Sequence, residues 1–250
     1  MTIKLRDFEV RLTRNKEERK QVRQLRYNVF VEEEGASATE EQRALREEYD
    51  SYDRFAEYMA VFHNGRIVGT YRIIDRKAAE KMDGFYTESE YNISKIKKYR
   101  GNIAEMSRAC VEKSYRENGL VMRLLWAGLG EMIVRRKIGI VFGVASFVGK
   151  NPARSAQAIS YLYYNHLTPL RLRATVLPEK FADGVFMNKV IEESFVNSYI
   201  IKNRRERLLF ELWGKKREDG IGRFCHRADT LIDASKINNF YKIFYKFICF

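Results

Sequence analysis

The stretch "IAEMSRACV", residues 103 to 111, sets Glu105 and Arg108 inside an otherwise apolar run. A charge buried there without a partner costs on the order of several kcal/mol, so each needs a partner or a task. A carboxylate held by a strand is suited to general-base work, taking a proton from an amine directly or through water. A buried, paired carboxylate is the structural alternative, and spacing does not choose between the two. In a regular strand the side-chain period of two puts Glu105 and Arg108 on opposite faces, so Arg108 would meet a carboxylate from another element. A bulge would change that geometry.

Other charges fall in apolar or turn-like contexts. Arg26 lies in "LRYNVFVEEEG", Asp50 and Asp53 in "EEYDSYD", and Arg72 in "GTYRII". Singly, each reads as a member of a surface ion pair of little energetic value. Together they could line one cleft. No nucleophile constellation accompanies them: Ser107, Ser146 and Cys110 have no evident His partner, and His63, His166 and His226 are scattered. The segment "SYRENGLVMR" opens a helix whose free N–H groups could receive a phosphate, but no glycine-rich fingerprint is present. Cys110, Cys225 and Cys249 form no CxxC pair, which fits a reducing compartment and no metal site.

The elements that must position these residues read as follows. "FEVRLTRN" alternates like a strand. Asn15 caps a helix over residues 16 to 33, with Val22, Leu25, Val29 and Phe30 on its apolar side. Residues 35 to 53 are an acidic loop with one helical turn. "FAEYMAVFH" and "RIVGTYRII" flank Asn64-Gly65, a strong hairpin signal. A short helix is expected over residues 78 to 82, a strand at "NIAEMSRACV", a helix over "SYRENGLVMRLLWAGLGEMIVRRKIG" and a buried strand at "IGIVFGVASF". "PARSAQAISYLYYN" reads as a helix and "TPLRLRATVL" as extended chain; beyond Pro178 the patterning weakens. This order gives a mixed α/β fold with an antiparallel start and a parallel crossover.

Composition sets the outer limits. The chain has 250 residues, 45% hydrophobic and 32% charged, the balance of a globular protein rather than a disordered one. Its net charge of +13 draws it toward nucleic acid, anionic lipid or an acidic protein. "LWGKKREDG" is basic with one aromatic residue and matches no nucleic-acid-binding motif, so no nucleic acid is expected. "MTIKLRDFEV" has no apolar core of a signal peptide, and no stretch reaches the ~20 apolar residues that span a bilayer. The expected compartment is the cytoplasm.

The motifs "LRYNVFVEEEGA", "EEYDSYD", "VGTYRII", "GFYTESEYNIS", "IAEMSRACVEKSYREN", "LLWAGLGEMI", "VFGVASFVG" and "AISYLYYNHL" occur in the order of one family. The chain resembles the ornithine–acyl carrier protein N-acyltransferases (lyso-ornithine lipid synthases), relatives of acyl-homoserine lactone and long-chain N-acyl amino acid synthases. The resemblance covers about residues 8 to 180 and is specific as a set. "FYTESEYNIS" and the E-x-S-R-x-C-V phrase point to the ornithine branch. Past about residue 185 this chain has "IIKNRRERLLFELWGKK" where the family carries a smoother, glycine-containing stretch.

The resemblance implies a GNAT-like acyl-CoA N-acyltransferase fold: a mixed central sheet flanked by helices. The core would be residues 1 to 180, with 181 to 250 a divergent basic C-terminal extension packed on or continuing it. The implied reaction moves a (3-hydroxy)fatty acyl group from acyl carrier protein to the α-amino group of L-ornithine, the first step of ornithine lipid synthesis. No cofactor or metal is implied; the phosphopantetheine thioester is a co-substrate. Its arm would enter a V-shaped gap between the "IAEMSRACV" and "IGIVFGVASF" strands, near Met106, Ser107, Ser146 and Phe147. N–H groups near Met106 and Ser107 would polarise the thioester carbonyl, and Glu105 would be the general base. Arg26, Asp50, Asp53, Arg72 and Arg108 would form a charged acceptor site, and Phe30 and Phe85 would line the acyl or acceptor pocket, plain core being the alternative for both aromatics. Acyl carrier protein is the expected partner, with residues 113 to 137 and 202 to 217 as docking faces. An anionic membrane surface is a further expected contact, through the tail "NNFYKIFYKFICF" lying on the inner face of the cytoplasmic membrane or else packed on the domain. The alternatives are an acyl-homoserine lactone or other N-acyl amino acid synthase, and a non-enzymatic basic protein that binds lipid or nucleic acid.

Overall fold

The structure, a computed structural model, describes residues 2–117, 119–144 and 168–180. These fall into two compact units, 2–86 with 102–139, and 87–101 with 140–144 and 168–180. The candidate site lies wholly in the first.

The alternating segment near the start forms β2 (Phe8–Leu12), and an antiparallel strand, β1 (Thr2–Leu5), precedes it. Helix α1 (Lys16–Arg26) begins where expected: the Asn15 side chain accepts from the Glu18 N–H at 2.9 Å. Glu17 and Glu18 in its first turn and Arg23 and Arg26 in its last complement the helix dipole. The single helix expected to run on to residue 33 changes at Tyr27 into a π-helix, Tyr27–Glu33. Tyr27, Val29, Phe30 and Val31 crowd this stretch with aromatic and β-branched side chains, the types that fit an α-helical turn least well.

The acidic loop holds α2 (Glu40–Leu45), closed by a capping box between Thr39 and Gln42. A 3-10 turn follows at Ser51–Arg54. The hairpin stands as read: β3 (Glu57–His63) and β4 (Arg66–Asp75) flank Asn64 and Gly65, with φ of 50° and 78°. Positive φ at both positions is what a type I′ turn demands. The short helix is α3 (Arg76–Ala79), capped by the Asp75 carboxylate on the Ala78 N–H at 2.8 Å.

In the second unit, β5 (Tyr91–Asn92) precedes α4 (Ser94–Lys97). Back in the first, β6 (Asn102–Val111) coincides with the strand read from sequence. The next helix, α5 (Leu120–Arg135), starts later than expected because Gly119 adopts φ 64° at its N-cap, after a 3-10 turn at Lys113–Tyr115. Strand β7 (Ile138–Phe142) follows, and β8 (Thr175–Val176) pairs antiparallel with β5. Of the expected extended segment "TPLRLRATVL", only β8 is strand; Leu170–Leu172 form a 3-10 turn. "PARSAQAISYLYYN" and everything from residue 181 lie outside the described residues.

The main sheet has the order β1-β2-β3-β4-β6-β7. Its strands from β1 to β6 pair antiparallel. One face packs under α1, where Val22, Leu25 and Val29 meet Tyr58, Ala60, Phe62, Ile67 and Cys110. The other receives α5. Gly69 on β4 is the close approach: a Cβ there would lie 2.4 Å from Val121 Cγ1. Beside it the Tyr71 and Trp126 rings meet edge-on at 5.7 Å. Burial pushes the Tyr71 hydroxyl up to about 12. Among the described residues no helix is long and apolar enough to cross a membrane.

Candidate active site

The site grows from one irregularity in β6. Along β4, Ile74 pairs with Glu105 and Arg72 with Ser107, so these four share a face. The register then shifts: Thr70 pairs with Cys110, leaving Arg108 and Ala109 together opposite Tyr71. This is a β-bulge, and Arg108 occupies its left-handed position with φ 53°. The expectation that Glu105 and Arg108 point to opposite faces is therefore corrected. The extra residue resets the period, so Glu105, Ser107, Arg108 and Cys110 all face the α1 side. They still do not bond each other: Arg108 pairs with Asp50 at 3.1 Å and Glu48 at 3.5 Å.

Around that face the expected charges come together. Arg26, fully buried at the end of α1, donates to Asp53 at 2.8 Å and Glu48 at 2.5 Å. Arg72, also fully buried, donates to Asp50 at 2.5 Å, Asp53 at 3.1 Å and the Ser107 hydroxyl at 3.0 Å. Asp53 additionally accepts from the Tyr58 hydroxyl at 2.7 Å. The two aspartates hold each other's turn: Asp53 accepts from the Asp50 N–H at 2.9 Å, and Asp50 from the Tyr52 N–H at 3.0 Å. "EEYDSYD" thus folds as a carboxylate-bearing turn pressed onto the arginines.

Three arginines thereby meet three carboxylates: Arg26, Arg72 and Arg108 against Glu48, Asp50 and Asp53. Burial works to raise the Asp53 carboxyl, but the charge and hydrogen bond of Arg26, with Arg72, outweigh it and hold it well below the usual carboxylate range. Burial and then Asp53 push the Tyr58 hydroxyl up. Glu105 is fully buried on the same face. Tyr52 reports its closeness: burial first, then the charges of Glu105, Asp50 and Asp83, raise the Tyr52 hydroxyl.

Two aromatic rings roof the cluster. Tyr52 and Tyr86 meet edge-on at 5.6 Å. The Arg72 guanidinium lies 5.8 Å from the first ring and 5.5 Å from the second, and that of Arg108 5.0 Å from Tyr86. Beneath them the Arg72 Nη2 is buried with no hydrogen-bond acceptor among the described residues. A buried guanidinium nitrogen in that condition is a ready donor for a ligand carboxylate or carbonyl.

Glu48, Tyr52, Tyr58 and Tyr86 were not singled out from sequence. Tyr58 was out of reach: counting back along the hairpin from Asn64-Gly65 places it opposite Tyr71, and only the register shift between Val61 and Phe62 brings it opposite Arg72. Glu48 had no sign in the sequence that set it apart from Glu47, which pairs with Arg23 instead. Of the other expected residues, Phe85 is buried and Phe30 packs half-buried against the α1-side core. Met106 pairs with Ile73 on the opposite, α5-facing side of the sheet. Ser146, Phe147, the region 202–217 and the aromatic-lysine tail lie outside the described residues. As a docking face, residues 113–137 reduce to the ends, because α5 is largely buried. No group of three metal-ligating side chains occurs among the described residues.

Residues 25–127, which hold all of this cluster, match the family model of the acetyltransferase (GNAT) domain. The chain is 34% identical over 167 residues to an L-ornithine N(alpha)-acyltransferase of Brucella abortus, covering 63% of this chain and 59% of that protein. It is 33% identical over 183 residues to the protein of the same name from Agrobacterium fabrum, covering 70% and 62%. For the Rhodobacter capsulatus protein of that name the figures are 31% over 173 residues, 66% of each chain. The chain thus spans roughly three fifths to two thirds of the length of these curated relatives. The resemblance drawn from the motifs is met by relatives of that name. Among solved structures, the AHL synthase LasI aligns with TM-score 0.40 and 20% identity over 54% of this chain and 70% of its own.

Proposed function

We propose that this chain is an N-acyltransferase that moves a fatty acyl group from the phosphopantetheine thioester of acyl carrier protein to the α-amino group of L-ornithine. In that role it would catalyse the first step of ornithine lipid synthesis, beside an anionic membrane that receives the product. The observation that carries this reading is the bulged face of β6, which sets a buried carboxylate, Glu105, next to a buried guanidinium, Arg72, with an unused donor. The curated relatives' shared name supports the acceptor.

The chemistry follows from the groups present. The acceptor's α-ammonium must lose a proton before it can attack, and Glu105 takes it. The amine nitrogen bonds to the thioester carbonyl carbon, and the C–S bond breaks. The leaving sulfur takes the proton that Glu105 held, and the nitrogen gives up its second proton through the freed Glu105 carboxylate to water, leaving an amide, a free carrier thiol and one released proton. Arg72, through its Nη2, binds the acceptor's α-carboxylate, and this places the α-nitrogen on the Glu105 side of the sheet. Arg72 is held by its Nη1 on Asp50 and Asp53 and its Nε on Ser107, so the cluster fixes the guanidinium that presents Nη2. Tyr52 and Tyr86 close the acceptor end.

The test is transfer from 3-hydroxyacyl-acyl carrier protein to a panel of amino acids, wild type beside Glu105→Ala and Glu105→Gln. Transfer to ornithine that both variants cut by at least about 100-fold, the size of a lost general base, is expected. Transfer to homoserine-derived or other amines instead would change the acceptor and keep the mechanism. Folded protein with no transfer to any acceptor would overturn the reading.

A further inference from the structure

In the second unit, α4 and the turn Leu170–Leu172 lie side by side. Ile93, Ile96 and Leu172 are buried and anchor the two segments. That anchoring turns Lys95, Lys98, Arg100 and Arg171 outward, all exposed. Lys97 is answered by Glu88 at 2.7 Å. Next to Arg171 stands Leu170, 70% exposed, the most exposed large apolar side chain among the described residues. Tyr99 is half-exposed nearby in sequence. Next to them opens a cavity of about 430 Å³ where Asn92, Ser94, Lys97 and Lys98 stand beside Glu88 and the apolar Ile93, with apolar surface predominating.

We propose that this edge is a contact surface for an anionic lipid bilayer, with Lys95, Lys98, Arg100 and Arg171 on headgroup phosphates and Leu170 inserted at the acyl boundary. The combination separates lipid from an acidic protein. A protein partner is held by a packed apolar centre of several side chains with a polar rim. Here a single bared leucine sits beside Arg171 in a turn packed against the lysine-bearing α4. That is enough for a bilayer, which receives side chains one at a time and attracts each cation near its surface. The net charge of +13 acts in the same direction. The inference deepens the membrane part of the reading above and is independent of the reaction itself.

The test is co-sedimentation of the full chain with vesicles of phosphatidylcholine alone or with phosphatidylglycerol, at low and high salt. The wild type is expected to bind only the anionic vesicles and to be released by salt. Lys95→Glu with Lys98→Glu is expected to weaken partitioning at least about tenfold, and Leu170→Asp about fivefold or more. All three positions are exposed, so transfer to ornithine from a small neutral acyl thioester in solution should not change. Failure of the wild type to bind anionic vesicles would overturn the proposal. So would charge-reversed protein that partitions like the wild type, or a charge reversal that spares vesicle binding but abolishes saturable binding of acyl carrier protein. Because vesicle binding and acyl transfer are read separately, loss of one does not count against the other.

Discussion

Asp53 is the residue on which the arginines converge. Its Oδ1 accepts from Arg26, Arg72 and Tyr58, while its Oδ2 accepts from the Asp50 N–H. Removing one partner from a buried ion-pair network leaves charge uncompensated and costs about 3–5 kcal/mol. Asp53→Asn, similar in shape, should therefore lower the melting temperature clearly at neutral pH. The pH dependence has a definite sign. The folded Asp53 titrates below its unfolded value of about 3.9, so its stabilisation is complete above that value and fades as pH falls through the folded one. Wild-type stability should drop below about pH 4, and part of that drop should vanish in Asp53→Asn. Melting curves from about pH 2.5 to 7 would show it; parallel curves for the two proteins would mean that Asp53 is not charged in the folded state.

The element that makes the site is the bulge rather than any strand as a whole. It asks Arg108 for a left-handed conformation that costs a non-glycine residue about 1–2 kcal/mol. Arg108→Gly should recover much of that cost and lose only partly exposed ion pairs, so its stability should stay within about 1 kcal/mol of wild type. Arg108→Ala keeps the strain, loses the same pairs, and should melt lower than Arg108→Gly. Both should reduce kcat/KM for ornithine by about tenfold or more, because Asp50, and through it Arg72, loses a charged partner. Equal melting temperatures for the two variants would remove the strain from the account. The bulge also marks where the sequence stopped being legible. β6, the Asn64-Gly65 hairpin and the Asn15 cap could all be read, because each has a local cause in alternation, turn chemistry or a side-chain oxygen. Arg108 gave no local sign, since the usual mark of a left-handed strand residue is glycine. The π-helix from Tyr27 to Glu33 was hidden for a related reason: the apolar spacing of Val22, Leu25 and Val29 fits both helix types. The charged residues were legible by type, but their three-against-three pairing depends on contacts between residues 19 to 60 positions apart.

At the scale of the whole molecule the site and the surface divide the electrostatic work. Inside, Arg26, Arg72 and Arg108 are matched by Glu48, Asp50 and Asp53, so the cluster adds little to the long-range field. The net +13 is therefore carried mainly by the rest of the chain. A field of that sign speeds encounter with an acidic donor protein, and salt screens it; the Debye length falls from about 10 Å at 0.1 M to about 3 Å at 1 M. Chemistry at Glu105, in a fully buried position, is screened far less. The proposed reaction should thus split by donor. Raising ionic strength from about 0.05 to 0.5 M should lower kcat/KM severalfold when the acyl group arrives on acyl carrier protein, and leave it nearly unchanged with a small neutral acyl thioester. Saturating kcat should change little with either. If salt slowed both donors alike, the effect would lie at the buried cluster or the ornithine site. If it slowed neither, the basic surface would not take part in meeting the donor, and its role would rest on the lipid contact alone.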